Sequence, residues 1–276
     1  MHPKSQNKLP MRSLLATLSA TLVLAAAPLG AQSTTSQSGE PLFTIQDAAI
    51  GGGFVLGTVL LAPLDRALAE QLQDSVRQAN RVYQRGATGF NLLAFPGSVA
   101  ITGTLYAVGK LADRPRMADV GLHTTEAIVL GEAFNFLIKG LAGRARPYND
   151  PTNPHDFKLG RGFRRENFRS FPSGHAVAGF AAAAAVTSEV AREWPEGRWI
   201  VGPAMYGGAT LVGLSRMYGN YHWASDVVIG AAIGTFSGLK VVQYHHSHPD
   251  NRIDRWLLGV SIIPGAPARI WLAPIR

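Results

Sequence analysis

Three short runs hold most of the residues whose types and spacing could bind an oxyanion and move protons around it. The first, Lys139-Gly-Leu-Ala-Gly-Arg-Ala-Arg146-Pro147, sets two cations at the close of an apolar segment. Pro147 is expected to stop that helix, because the residue before a proline is driven out of α conformation. Taken alone, Lys139 and Arg146 complement a helix dipole; taken together, they can grip phosphate-like oxygens, the arginine through a planar fork and the lysine as a point charge. The second run, Phe171-Pro172-Ser173-Gly174-His175, leads into an Ala-rich helix from Ala176. Ser173 alone reads as an N-cap, yet the same place offers free backbone N–H groups at the positive end of a helix, a ready site for an anion. Gly174 lets an oxygen come close to the backbone. A charged His175 in the first turn is disfavoured unless an anion lies beside it, which points to proton transfer. The third run is Ser215-Arg216-Met-Tyr-Gly-Asn-Tyr-His222-Trp-Ala-Ser-Asp226. His222 and Asp226, four apart, share a face if helical. A carboxylate on one ring nitrogen would fix the tautomer and leave the other nitrogen as a nucleophile; alone, the pair reads rather as a cap on a structural helix.

Together the runs resemble the superfamily of type 2 phosphatidic acid phosphatases (PAP2) and vanadium haloperoxidases, whose signature is Lys-x6-Arg-Pro, Pro-Ser-Gly-His and Ser-Arg-x5-His-x3-Asp. Every specified position is present, from Lys139 to Asp226. The resemblance implies an all-α helical bundle and a phosphatase acting through a phosphohistidine. His222 would be the nucleophile, Asp226 its orienting partner, and His175 the general acid and then the base. Lys139, Arg146, Arg216, Ser173 and Gly174 would hold the phosphoryl oxygens. It also implies that no metal or other cofactor is needed and that vanadate inhibits. Two alternatives stay open: a haloperoxidase that uses vanadate as cofactor, and a non-catalytic, membrane-associated anion-binding protein.

The elements that must position these residues are long Ala-, Gly-, Leu- and Val-rich segments at 47–62, 64–82, 92–111, 124–141, 175–191, 199–214 and 225–244, whose length and lack of two-residue alternation favour helices. Between Arg146 and Phe171 the pattern breaks into Pro, Asn, Asp, Gly and Arg, a long polar loop of the kind that carries function. Its Lys158, Arg161, Arg164, Arg165 and Arg169 read either as headgroup contacts or as a solvated lid. After His248-Pro249, apolar stretches flank Pro264-Gly265, so a short β-hairpin is expected in the tail. His245, His246 and His248 read as a solvated helix end with no acid placed to complete a metal site. The segments at 92–111, 199–214 and 225–244 approach the ~20 residues of a span, but their Gly, Ala, Ser and Thr content favours a bundle that at most touches the bilayer.

Residues 1–31 read as an export signal: Lys4, Lys8 and Arg12 precede an apolar run from Leu14 to Leu29 and a small-residue cut at Gly30-Ala31. A polar linker follows at 32–46, then a helical phosphatase domain at 47–247 and a tail at 248–276. The 46% hydrophobic content is ample for a sizeable core. With no cysteine, disulfides, thiolate metal sites and cysteine nucleophiles are excluded. The formal charge of +8 suits an anionic partner, and the basic residues concentrate between Lys139 and Arg169 among catalytic types. That favours a phosphorylated small molecule or lipid over nucleic acid, which wants clustered cations with groove-reading elements. The expected place is the periplasm or its membrane face.

Overall fold

The computed structural model describes residues 42–248, 251–257, 260–261 and 269–270; the expected export signal, and the linker up to residue 41, lie outside them. The chain enters α1 (Ile45–Leu61) through a capping box, in which Thr44 N–H donates to Asp47 Oδ2 at 2.7 Å and Asp47 N–H returns to Thr44 Oγ1. Then come α2 (Asp65–Leu72), the single turn α3 (Ser75–Gln78), α4 (Arg81–Leu92) and α5 (Ser98–Leu111). Four long helices follow: α6 (Pro115–Ala142), α7 (Gly174–Glu193), α8 (Arg198–Tyr218) and α9 (Ala224–Ser247). A short α10 (Arg252–Leu257) and a two-residue antiparallel ladder, β1 (Val260–Ser261) with β2 (Arg269–Ile270), complete the described chain. The architecture is all-α, as expected.

The centre is α7, packed between α6, α8 and α9. Its Ala181, Ala183, Ala184 and Ala185 are fully buried, and alanine keeps the helix surface thin enough for close approach. The facing surface of α9 is thinner still. A Cβ on Gly234 would stand 2.2 Å from the Val177 carbonyl oxygen, so only glycine lets these backbones meet. Phe54 of α1, Phe180 of α7, Tyr206 of α8 and Val227 of α9 fill the space on one side of this pair; Ile128 of α6 and Val242 of α9 fill the other.

Pro147 does not end α6. The helix stops at Ala142 because Gly143 takes a left-handed φ of 55°, its N–H still bonded to Lys139 O. Arg146 therefore lies beyond the helix, in a loop of 31 residues that runs to Ser173. Since α6 and α8 end where α7 and α9 begin, all three motifs collect at one end of the bundle.

Three helical stretches among the described residues are long and apolar enough to cross a membrane: Ile45–Leu72, Arg81–Leu111 and Ala224–Ser247. In the first two only 22% and 17% of the apolar window is buried, against 72% in the third. Val55, Leu56, Val59 and Leu60 of α1, with Leu92, Leu93, Ile101 and Leu111 along α4 and α5, face outward. So much exposed apolar surface suits lipid rather than water, and the protein is membrane-associated. The Gly- and Ala-rich stretches that had argued for a soluble bundle are instead the helix-packing faces. The stretch at 199–214 is not among the candidate spans.

Candidate active site

Each motif reaches the site on a different element, and backbone bonds sew them together. Ser173 N–H donates to Asp226 O at 3.0 Å, joining the second run to the third, and Ser170 N–H donates to Arg144 O at 3.1 Å, joining the second to the first. Trp223, fully buried, donates from Nε1 to Ala145 O at 2.9 Å.

Ser173 occupies the N-cap position of α7, but its side chain caps nothing. Its Oγ is buried without a hydrogen-bond partner among the described residues, as are Arg146 Nε and Arg216 Nε. A buried polar atom without a partner is costly, and an oxyanion can accept from donors of all three kinds. Gly174 begins α7, and a Cβ there would come 2.9 Å from Asn135 Nδ2 and 3.1 Å from Glu132 Oε2. Arg146 and Arg216 stand over the same ring, 5.8 and 4.2 Å from the centroid of Tyr221. Asn91, in α4, accepts from both Arg216 Nη1 and Ser215 Oγ, which aims the guanidinium.

His222 is not helical. It lies in the turn before α9, and Trp223 is the N-cap. Its Nδ1 lies 2.7 Å from Ser170 O, an atom that can only accept, so Nδ1 carries the proton and Nε2 keeps a free lone pair. The expected direct bond from Asp226 is absent: the nearest carboxylate oxygen is 3.7 Å from Nδ1, beyond hydrogen-bond reach. The reason is that Asp226 is otherwise engaged. It accepts from Ser170 Oγ at 2.6 Å, from Trp223 N–H at 2.9 Å and from Arg144 Nη1 at 2.5 Å. It caps α9 and still fixes the Ser170 segment that holds the ring.

Arg144 was overlooked in the sequence, because it lies between motif positions and looks like one more surface cation. It is buried, and bridges Asp226 to Asp65 of α2 at 2.8 Å. Asp65 also accepts from Ser225 N–H at 2.9 Å. Ser170, Asp65 and Asn91 were likewise missed, each being an ordinary polar residue far from the motifs in sequence. Of the loop cations, Arg161 bonds Asp156 and Gly143 O and lies 3.6 Å from the centroid of the Phe168 ring, while Arg169 donates to Gly162 O. Those two are structural; Lys158, Arg164 and Arg165 remain exposed.

The charges of these groups act on one another. Burial first, then the charges of Arg216, Lys139 and Arg146, push the His175 imidazole down to about 3. Burial, reinforced by Lys139 and Arg146, outweighs the pull of Asp226 and holds His222 at about 3. Lys139 is lowered to about 8, mainly by burial and then by Arg146. Two neutral imidazoles thus sit among three cations, a field that attracts an anion and deprotonates both rings until one arrives.

Known proteins are similar to this chain over the stretch that carries the motifs. A family model described as the PAP2 superfamily matches residues 121–250. Undecaprenyl-diphosphatase of Sulfolobus acidocaldarius is 32% identical over 138 residues, covering 48% of this chain and 56% of that protein. Lipid A 1-phosphatase of Porphyromonas gingivalis is 42% identical over 69 residues, 25% of this chain and 15% of that one. The chain therefore spans little more than half of the first relative and a small part of the second. Among solved structures, Aquifex aeolicus LpxE matches with a TM-score of 0.48 at 20% identity, over 66% of this chain and 96% of that one. A transmembrane PAP2-type phosphatidylglycerolphosphate phosphatase from Bacillus subtilis matches with a TM-score of 0.49 at 18% identity, over 86% and 97%. All three motifs fall within residues 121–250, the stretch that is similar to the PAP2 superfamily.

Proposed function

We propose that the protein hydrolyses a lipid phosphate or diphosphate through a phosphohistidine on His222, without a metal in the reaction. The observation that carries this is the free Nε2 of His222, set by the Nδ1 bond to Ser170 O beside three unpartnered donors at the start of α7. Nε2 attacks phosphorus in line, the P–N bond forms, and the bond to the leaving oxygen breaks. His175 gives that oxygen its proton. A water then attacks the phosphohistidine, His175 takes the water's proton, and the P–N electron pair returns to Nε2. Arg146, Arg216, Lys139, Ser173 Oγ and the Gly174 N–H hold the three equatorial oxygens, where charge is carried throughout. Asp226 acts at one remove, steadying Ser170 and placing its negative charge near the developing imidazolium.

The lipid class is supported by the exposed apolar faces of α1, α4 and α5 and by the curated relatives, both named for lipid phosphates. The apolar segment at 14–29 supports export, with the site on the outer, periplasmic face. Purified protein in detergent micelles, assayed for phosphate release from undecaprenyl diphosphate, lipid A, phosphatidic acid and p-nitrophenyl phosphate, tests the reading. We expect at least one lipid to exceed the soluble ester about tenfold in kcat/KM, with activity kept in EDTA and blocked by orthovanadate. His222→Ala should lose turnover by about 10³-fold or more; wild-type rates in that variant would overturn the mechanism.

A further inference from the structure

A second cluster of chemistry-bearing side chains lies at the other end of the bundle, roughly 24 Å along α6 from Lys139 at 1.5 Å per residue. His123 near the start of α6, His245 near the end of α9 and Asp254 of α10 bring Nε2, Nδ1 and Oδ1 within 4.8 Å of one another. His245 Nδ1 lies 2.7 Å and His123 Nε2 3.6 Å from Asp254 Oδ1. His123 is 2% exposed, and its Nε2 has no hydrogen-bond partner among the described residues. Asn251 supports the carboxylate from behind, donating to Oδ2 at 2.6 Å, and its Nδ2 lies 3.3 Å from His245 Nδ1.

The far nitrogens decide the chemistry. His123 Nδ1 lies 2.6 Å from Glu189 Oε1, and His245 Nε2 lies 2.6 Å from Glu126 Oε2. An ionised carboxylate only accepts, so each ring carries its proton on the far side. On the near side, His123 Nε2 and His245 Nδ1 both turn toward Asp254 Oδ1. Two ring nitrogens and a carboxylate oxygen meet in a buried corner, where a proton on His245 Nδ1 or a cation among the three offsets their repulsion. A carboxylate behind each ligating histidine is also the arrangement that orients imidazoles on a metal.

We infer that His123, His245 and Asp254 form a binding site for a divalent transition metal, zinc first, that pins α10 to the ends of α6 and α9. Two imidazoles and one carboxylate suit zinc and its neighbours better than calcium or magnesium. His123 also belongs to a second set, with Glu189 and His246, but using it would strip the carboxylate from behind His123. The site is independent of phosphate hydrolysis, and chelation acts on stability rather than on the reaction.

Protein purified without a histidine tag, stripped with chelator in detergent and then reloaded with Zn²⁺, should retain about one Zn²⁺ per chain after gel filtration. Co²⁺ added alone should produce visible d–d absorption, and Zn²⁺ should raise the thermal midpoint. Asp254→Asn, at the edge of the cluster, and His123→Gln should each weaken Zn²⁺ binding by roughly 10- to 100-fold. His222→Ala and the exposed His248→Gln should bind as the wild type. If His123→Gln does not fold, Asp254→Asn and the Co²⁺ spectrum carry the test. Wild-type Zn²⁺ binding weaker than about 1 mM, or equal retention by Asp254→Asn, would overturn the site and leave a proton-sharing network in its place.

Discussion

His175 and His222 have the same lowered pKa, about 3, and need opposite things from it. As the proposed nucleophile His222 must be neutral, and burial with the nearby cations favours that form. As the proposed general acid His175 must hold a proton, which burial and the same cations disfavour in the free site. The sign follows from the causes: cations and burial favour the neutral ring, so an arriving dianion, by cancelling the cations, raises the pKa and draws in a proton. Tungstate, an oxyanion that stays doubly charged, should therefore bind more tightly as pH falls from 8 toward 6, with net proton uptake in calorimetry run in buffers of different ionisation enthalpy. A flat profile would mean that His175 stays neutral in the complex. The same role predicts a leaving-group effect. His175→Ala should slow a poor leaving group such as a lipid alkoxide by about 10²–10⁴-fold and p-nitrophenyl phosphate much less. Equal losses on both would remove His175 from proton transfer.

At the scale of elements, the site is held by what surrounds α9. Arg144 lies between Asp65 of α2 and Asp226 of α9, all three buried. Removing the cation leaves two carboxylates facing each other in the core, a penalty of about 3–5 kcal/mol by the behaviour of broken buried pairs. Arg144→Ala should thus lower the thermal midpoint markedly and displace the Ser170 segment that orients His222, cutting kcat as well. An unchanged midpoint would show the bridge to be dispensable. The loop from Gly143 to Ser173 is long, yet its backbone is pinned at Arg144, Ala145, Arg146 and Ser170. It behaves as a wall of the site, and Lys158, Arg164 and Arg165 are its cations left free to meet solvent or headgroups.

For the molecule as a whole, apolar surface decides location. The outward faces of α1, α4 and α5 should keep the protein in the membrane fraction through an alkaline carbonate wash; release into the supernatant would show peripheral attachment only. The motifs were legible in the sequence because their spacing preserves them, and the fold brings Lys139, Arg146 and Arg216 close enough to act on His175; the all-α class followed from long segments without alternation. Their partners were not legible. Nothing local marks Ser170 as the acceptor for His222 or Arg144 as the counter-ion of Asp226, since contacts across 52 and 82 positions depend on how helices pack rather than on spacing. The helix stop at Gly143 rather than Pro147 turned on one left-handed residue. His245, read as part of a solvated helix end, gained its carboxylates from α6 and α10. By itself the sequence determined which groups exist and in what order; only tertiary structure decided which of them face each other, because hydrogen bonds and ion pairs act over a few ångströms of space and take no account of distance along the chain.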